Sequence, residues 1–215
     1  MSEENNQLNA FYYFPSAIYT IEKQEFLIDA KNACAKAIEK QKIERPLDEI
    51  YPVYMTENLY DYQGMDKLTE YIGQTAWNIL SEQGYKMDSF NTIFTEFWCQ
   101  EHHKHSSMEQ HIHGFGSQIV GFYFVDVPEN CSKAIFYDPR LAKVQINLPE
   151  SDMTQVTPAS NMINFEPKEG LLIFTNAWLA HSFTKHASDS PIRFIHFNLT
   201  VQQAMPIPEA KAEIV

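Results

Sequence analysis

From Asn91 onward the chain is a succession of short runs rich in β-branched and aromatic residues. They span Thr92 to Cys99, Ser117 to Val127, Ala134 to Tyr137, Val144 to Asn147, Met162 to Phe165, Leu171 to Thr175 and Ile192 to Val201. No stretch of helical period separates one run from the next, so strands must pair with strands, and seven or eight of them imply a closed or doubled sheet. Turn residues punctuate the series at Pro128 to Asn130, Asp138-Pro139, Leu148 to Asp152, Pro167 to Gly170 and Ser188 to Pro191. A jelly roll is the economical architecture for such a pattern.

The first ninety residues read differently. Met1 to Ala10 is polar, and Phe11 to Thr20 suggests a short edge strand interrupted at Pro15. From Glu25, apolar Phe26, Ala30, Ala33, Cys34, Ala37 and Ile38 recur at helical spacing until Pro46 forces an end. A second helix follows Gly64, with Leu68, Ile72, Ala76, Ile79 and Leu80 on one face and Gly84 as its stop. The expectation is mainly β with N-terminal helices, in a single domain over 1–215: 1–90 as helical support and edge strand, 91–202 as jelly-roll core, 203–215 as a surface tail.

At 215 residues and 25.0 kDa the chain can bury a full core. A net charge of −12 argues against nonspecific nucleic-acid binding, which requires clustered Lys and Arg. Cys34, Cys99 and Cys131 are odd in number and lack CxxC spacing, which points to a reducing compartment and a cytoplasmic protein. No apolar run approaches the roughly 20 residues needed to cross a bilayer.

His111-Ile-His113 opens the strand that runs into Val125. Alternation along an extended chain puts both imidazoles on one face, and neutral imidazoles are the commonest metal ligands. A facial site needs a third ligand, and His181, after the run from Glu166 to Ala180, is the later histidine with matching surroundings. His102, His103 and His105 lie among charged neighbours and read as surface residues. Arg193 interrupts an apolar strand, and a guanidinium there suits a carboxylate ligand. Arg193, Ile195 and Phe197 share a face, as do Ser117, Ile119, Gly121 and Tyr123, so Tyr123 could offer a hydroxyl to the same anion.

These motifs carry a resemblance. His111-x-His113, the Gly-Phe-Tyr-Phe-Val run, Phe136 to Arg140, Pro167-x-x-Gly followed by Leu-Leu-Ile-Phe and by Trp178-Leu-x-His181, then Arg193 with Phe197-Asn198, resemble the 2-oxoglutarate- and iron(II)-dependent oxygenase family known from bacteria and from phages of marine cyanobacteria. Phe14 to Tyr19 and Phe97-Trp98 resemble further family segments. The resemblance implies a double-stranded β-helix and Fe(II) and 2-oxoglutarate as cofactors. It also implies a small-molecule or peptide substrate, hydroxylated or demethylated, and a host-cytoplasmic location if the chain is phage-encoded. His181 matches the distal metal ligand, and Arg193 the residue that binds the cosubstrate's far carboxylate.

The chain departs from the wider superfamily at His113, because a carboxylate is usual there. Either His111, His113 and His181 hold the metal, or Asp138 supplies the carboxylate and His113 stands behind it. No separate catalytic side chain is expected. Two rivals remain: a cupin-like three-His dioxygenase without cosubstrate, and a metal-binding jelly-roll module without turnover.

Overall fold

The computed structural model describes residues 8, 10–146 and 148–204. In chain order the elements are β1 (Ile18–Glu22), a 3-10 turn (Gln24–Phe26), α1 (Leu27–Glu44), β2 (Val53–Asn58), α2 (Met65–Glu82), β3 (Phe90–His102), β4 (Met108–His111) and β5 (Ser117–Asp126). They continue with β6 (Ala134–Tyr137), α3 (Leu141–Gln145), β7 (Met162–Phe165), β8 (Leu171–Asn176), β9 (His181–Phe183) and β10 (Ile192–Gln203). Six strands form one sheet in the order β1-β8-β5-β10-β3-β2, and four form a second in the order β4-β9-β6-β7. All pairings are antiparallel. This is the doubled sheet the strand pattern requires.

Strand alternation sorts the apolar residues into two cores. Ile119, Tyr123, Leu172, Phe174, Ile195, Phe197 and Leu199 point outward from the larger sheet and are roofed by α1 and α2. Phe122, Phe124, Ile173, Ile192 and Phe194 point the other way, and meet Ala134, Phe136 and Phe183 of the smaller sheet. The central strands are therefore apolar on both faces, which explains why β5 and β8 read as near-continuous hydrophobic runs. Gly121 sits where the two requirements collide: a Cβ there would overlap the Phe197 ring and the Ile173 carbonyl.

Both long helices form where the periodicity places them. The buried residues of α1 are Ala30, Ala33, Cys34, Ala37 and Ile38, and it stops ahead of Arg45-Pro46. Gly64 precedes α2 with φ +84°, and a Cβ on it would lie 2.6 Å from the Asp29 side chain, so this helix–helix approach requires glycine.

Three expectations are corrected. Val144 to Asn147 is not a strand: Leu141–Gln145 is a short helix, pinned by Lys143 Nζ, which donates to the Ala159 and Ser160 carbonyls and to Asn161 Oδ1. Val144 is partly exposed there, so its β-branched side chain had no sheet face to cover; Asn147 lies outside the described residues. The N-terminal strand starts only after Pro15, at Ile18, and β2, β4 and β9 are strands that the run-by-run reading missed. β1 and β2 are the two edges of the larger sheet, so the segment before 91 contributes to it. The tail expected at 203–215 falls, from 205 on, outside the described residues. Among the described residues no helix is long and apolar enough to cross a membrane.

Candidate metal centre

His181 lies at the middle of the smaller sheet, opposite His111 on one neighbour strand and Phe136 on the other. His113 follows β4, where its backbone N–H donates to the Ala177 carbonyl at 2.9 Å and holds the ring over His181. The three imidazoles offer ligand nitrogens that all lie within 4.8 Å of one another. His113 Nε2 and His181 Nε2 are 3.3 Å apart, a separation that suits two ligands on one ion with bonds of about 2.0–2.1 Å.

The hydrogen bonds behind the rings set which nitrogen is free. His111 Nδ1 faces the Glu109 carbonyl at 2.8 Å, and His181 Nδ1 faces the Leu179 carbonyl at 3.0 Å. A carbonyl only accepts, so in each neutral ring Nδ1 carries the hydrogen and Nε2 presents its lone pair to the shared centre. Burial holds the His181 and His113 rings neutral. His181 is pushed down to about 3 and His113 to about 4, in each case mainly by desolvation and then by neighbouring histidines. Fe(II) fits the nitrogens that His111 and His181 present, because neutral imidazoles with unprotonated Nε2 are what a borderline divalent ion selects, and His113 would join them on giving up the Nε2 hydrogen that its bond from the Asn198 amide implies.

A second constellation abuts the first and was not anticipated. Glu96, His113 and His196 also bring ligand atoms within 4.8 Å of one another. His196 Nε2 is 3.1 Å from Glu96 Oε2, and the Asn198 amide nitrogen bonds both Glu96 Oε2 and His113 Nδ1, the latter at 2.8 Å. His196 is buried among Trp98, Phe122 and His113. Burial lowers its pKa, against the pull of the Glu96 carboxylate, whose own pKa falls through the same contact. The sequence did hold a signal: Glu96, Trp98, Gln100 and His102 on β3, with His196 and Asn198 on β10, place polar groups at every second position of otherwise apolar strands.

Asp138 is not brought to the histidines. It is ion-paired with Arg140 at 2.7 Å and Lys143 at 3.3 Å, and the Arg140 bond depresses its pKa strongly. It belongs to neither potential metal group.

Arg193 and Tyr123 do share a face, as alternation required, but it is the face under the helices. The expected cosubstrate anchor is corrected accordingly. Arg193 Nε reaches the fully buried Glu101 at 2.5 Å and its Nη1 reaches Asp126 at 3.1 Å. Tyr123 donates its hydroxyl to the Lys23 carbonyl at 2.6 Å. The register break between Arg193 and Phe194 precedes a run in which Phe194, His196 and Asn198 take the inward positions. No lysine or arginine is among the buried residues of the described chain, and the inner space past the histidines holds Phe122, Phe124, Phe183 and Phe194. His102, expected at the surface, is instead fully buried against Phe183 and Phe194, while His103 bonds Glu101.

Comparison with known proteins agrees with this architecture. Residues 96–198 match the model of the family described as "Putative 2OG-Fe(II) oxygenase". No curated protein matches by sequence. Among solved structures, AviO1 from Streptomyces viridochromogenes Tue57 superposes with a TM-score of 0.62 at 14% identity, covering 90% of this chain and 93% of its own. The non-heme alpha ketoglutarate dependent carbocyclase SnoK from nogalamycin biosynthesis gives 0.61 at 12%, covering 91% and 85%. A Pseudomonas putida prolyl-4-hydroxylase gives 0.55 at 9%, covering 88% and 94%. Such identities speak to the double-stranded β-helix fold, and the family model to the residues within it. The matched segment, from Glu96 to Asn198, contains every residue of both histidine groups.

Proposed function

We propose that the protein is an Fe(II)- and 2-oxoglutarate-dependent dioxygenase whose metal is held by His111, His113 and His181. The observation that carries the reading is the convergence of these three rings, two of them tied through Nδ1 to backbone carbonyls so that Nε2 is free. When bound, the ferrous ion and 2-oxoglutarate would supply the oxidising chemistry with dioxygen as the oxidant, one oxygen atom going to succinate as the cosubstrate loses CO2 and the other to a substrate that is hydroxylated or demethylated. The protein's part is to orient and to exclude water. Phe122 and Phe136 pack against His181 and fix its plane, and the Phe183–Phe194 stack closes the space beneath.

Charge supports a dianionic cosubstrate despite the missing inward cation. Three neutral imidazoles leave both charges of the ferrous ion uncompensated, where a carboxylate ligand would cancel one. The imidazole at position 113 therefore offsets the absence of a buried guanidinium. The substrate class is a small molecule or peptide, and a groove lined by Tyr12, Tyr13, Tyr137, Arg140 and Leu179, adjoining Phe136, is where it would lie. The lack of a buried cation also favours a second reading, a three-His dioxygenase that needs no cosubstrate.

The test is succinate release from 2-oxoglutarate by the Fe(II)-loaded protein. Succinate above the level of the His181→Ala variant supports the proposal. Retained iron with no succinate sinks it, and iron-dependent oxygen uptake without succinate moves the case to the second reading.

A further inference from the structure

Glu96, His113 and His196 make a two-histidine, one-carboxylate set, the combination that the HxH motif itself lacks. It lies one imidazole away from the three-His set, and the two nitrogens of His113 face different centres. Nε2 faces His181 at 3.3 Å, and Nδ1 faces the Asn198 amide at 2.8 Å. We propose that Glu96, His113 and His196 form a second site for a divalent transition-metal ion, with His113 bridging the two ions through its imidazole.

Three observations converge on the point between these side chains. His113 Nδ1 and Glu96 Oε2 both accept from the Asn198 amide nitrogen, and His196 Nε2 stands 3.1 Å from the same Glu96 oxygen. Three ligand atoms therefore aim at one position, which the N–H bonds of an amide now fill as a cation would. Asn198 is 2% exposed, and its Oδ1 is buried with no hydrogen-bond partner. Turning the amide over would give that orphaned oxygen a cation to ligate and vacate the position. A buried acceptor without a partner costs about 1–3 kcal/mol, which is the reason to look for its missing partner.

The first ion makes the second more favourable. With a metal on Nε2, His113 keeps a neutral ring only if Nδ1 carries a hydrogen and finds an acceptor. The group facing Nδ1 is now a donor, and turning the amide over without a cation would set Oδ1 against the Glu96 carboxylate. A cation bound by Nδ1, Glu96 and His196 resolves both conflicts. His196 is seated for this by Trp98 and Phe122, which pack on its ring.

The inference rests on the three-His reading only in that His113 is shared, and the test separates the two. Metal-free protein is titrated with Zn(II), and bound metal is counted after gel filtration for wild type and for Glu96→Gln, His196→Gln and His111→Ala, with near-UV circular dichroism reporting the fold. Two ions per chain in wild type and one in each variant is the expected result. One ion in wild type, or two in both Glu96→Gln and His196→Gln, overturns the second site. Loss of an ion in Glu96→Gln and His196→Gln but not in His111→Ala would keep the new site and remove the three-His one. Bridging is read with Cu(II): an imidazolate between two such ions couples their spins, so the paramagnetic resonance intensity should fall as the second equivalent binds. Undiminished intensity at two ions per chain overturns the shared histidine.

Discussion

At the scale of single residues, burial rather than identity decides what each charged or titratable group does. His102 is fully buried against Phe183 and Phe194, and desolvation first, then His186 and His103, push it down to about 3. Its folded value lies below the ordinary 6.5, so the unfolded chain binds its proton first as pH falls. The stability this neutral ring supports is complete above about pH 6.5 and drains away below it. Between pH 7 and 4.5 that loss is about 2–3 kcal/mol. In urea melts at the two pH values, His102→Phe should shrink the acid-induced loss by that amount, and an unchanged difference would mean His102 is accessible to protons in the fold. Arg193 is the complementary case. It neutralises buried Glu101 together with Lys42, so Arg193→Leu should cost about 2 kcal/mol in the same melts, below the usual range for a buried pair because Arg193 is partly exposed and Lys42 remains. It should leave 2-oxoglutarate affinity unchanged; a hundredfold weaker affinity would return the anchor role to this residue.

At the scale of elements, the strand register decides which legible motifs become a site. Both helices and most jelly-roll strands could be read from spacing, because periodicity reports which residues share a face; His111 and His113 do not open the strand that runs into Val125 as expected, since β4 ends at His111 and a turn leads to β5 in the other sheet. It does not report which face looks inward. Arg193 and Tyr123 were correctly grouped, yet the central strands are apolar on both sides, so nothing local distinguished the helix-covered face from the inner one. The polar alternation of Glu96, Gln100 and His102 against Phe97 and Cys99 carried that information, since it continues on the paired strand β10 with His196 and Asn198. β4 stayed hidden because Met108 to His111 has no apolar alternation, its pairing being set by β9. Gly121 gives the element-scale prediction. A methyl there meets the Phe197 ring and the Ile173 carbonyl across two pairings of the larger sheet, so Gly121→Ala should destabilise by about 1–3 kcal/mol through overpacking. Gly84→Ala, where no atom lies within 4 Å, should show only the smaller backbone cost of its φ of +92°. Equal losses for the two variants would refute the packing explanation.

At the scale of the whole molecule, the histidines tie the two sheets together. His111 and His181 belong to β4 and β9 of the smaller sheet, while His113 is bonded to Asn198 of β10 in the larger one. β4 is a four-residue edge strand paired to β9 alone through an irregular register, so without metal little holds it. An ion that binds the folded chain and not the unfolded one adds about 2.7 kcal/mol at a hundredfold excess over its Kd. For a chain of this size each kcal/mol is worth about 2–4 °C, so each Zn(II) ion bound at that excess should raise the thermal midpoint of metal-free protein by about 6–10 °C. In His181→Ala the share of the three-His ion should be lost and only that of the Glu96, His113 and His196 site should remain, and in wild type amide exchange should slow across Met108 to His113 as well as around His181, because the three-His ion fastens β4 to β9. A rise of equal size in His181→Ala would show that the stabilising ion sits elsewhere, and unchanged exchange in β4 would show that the strand is already held by the sheet alone.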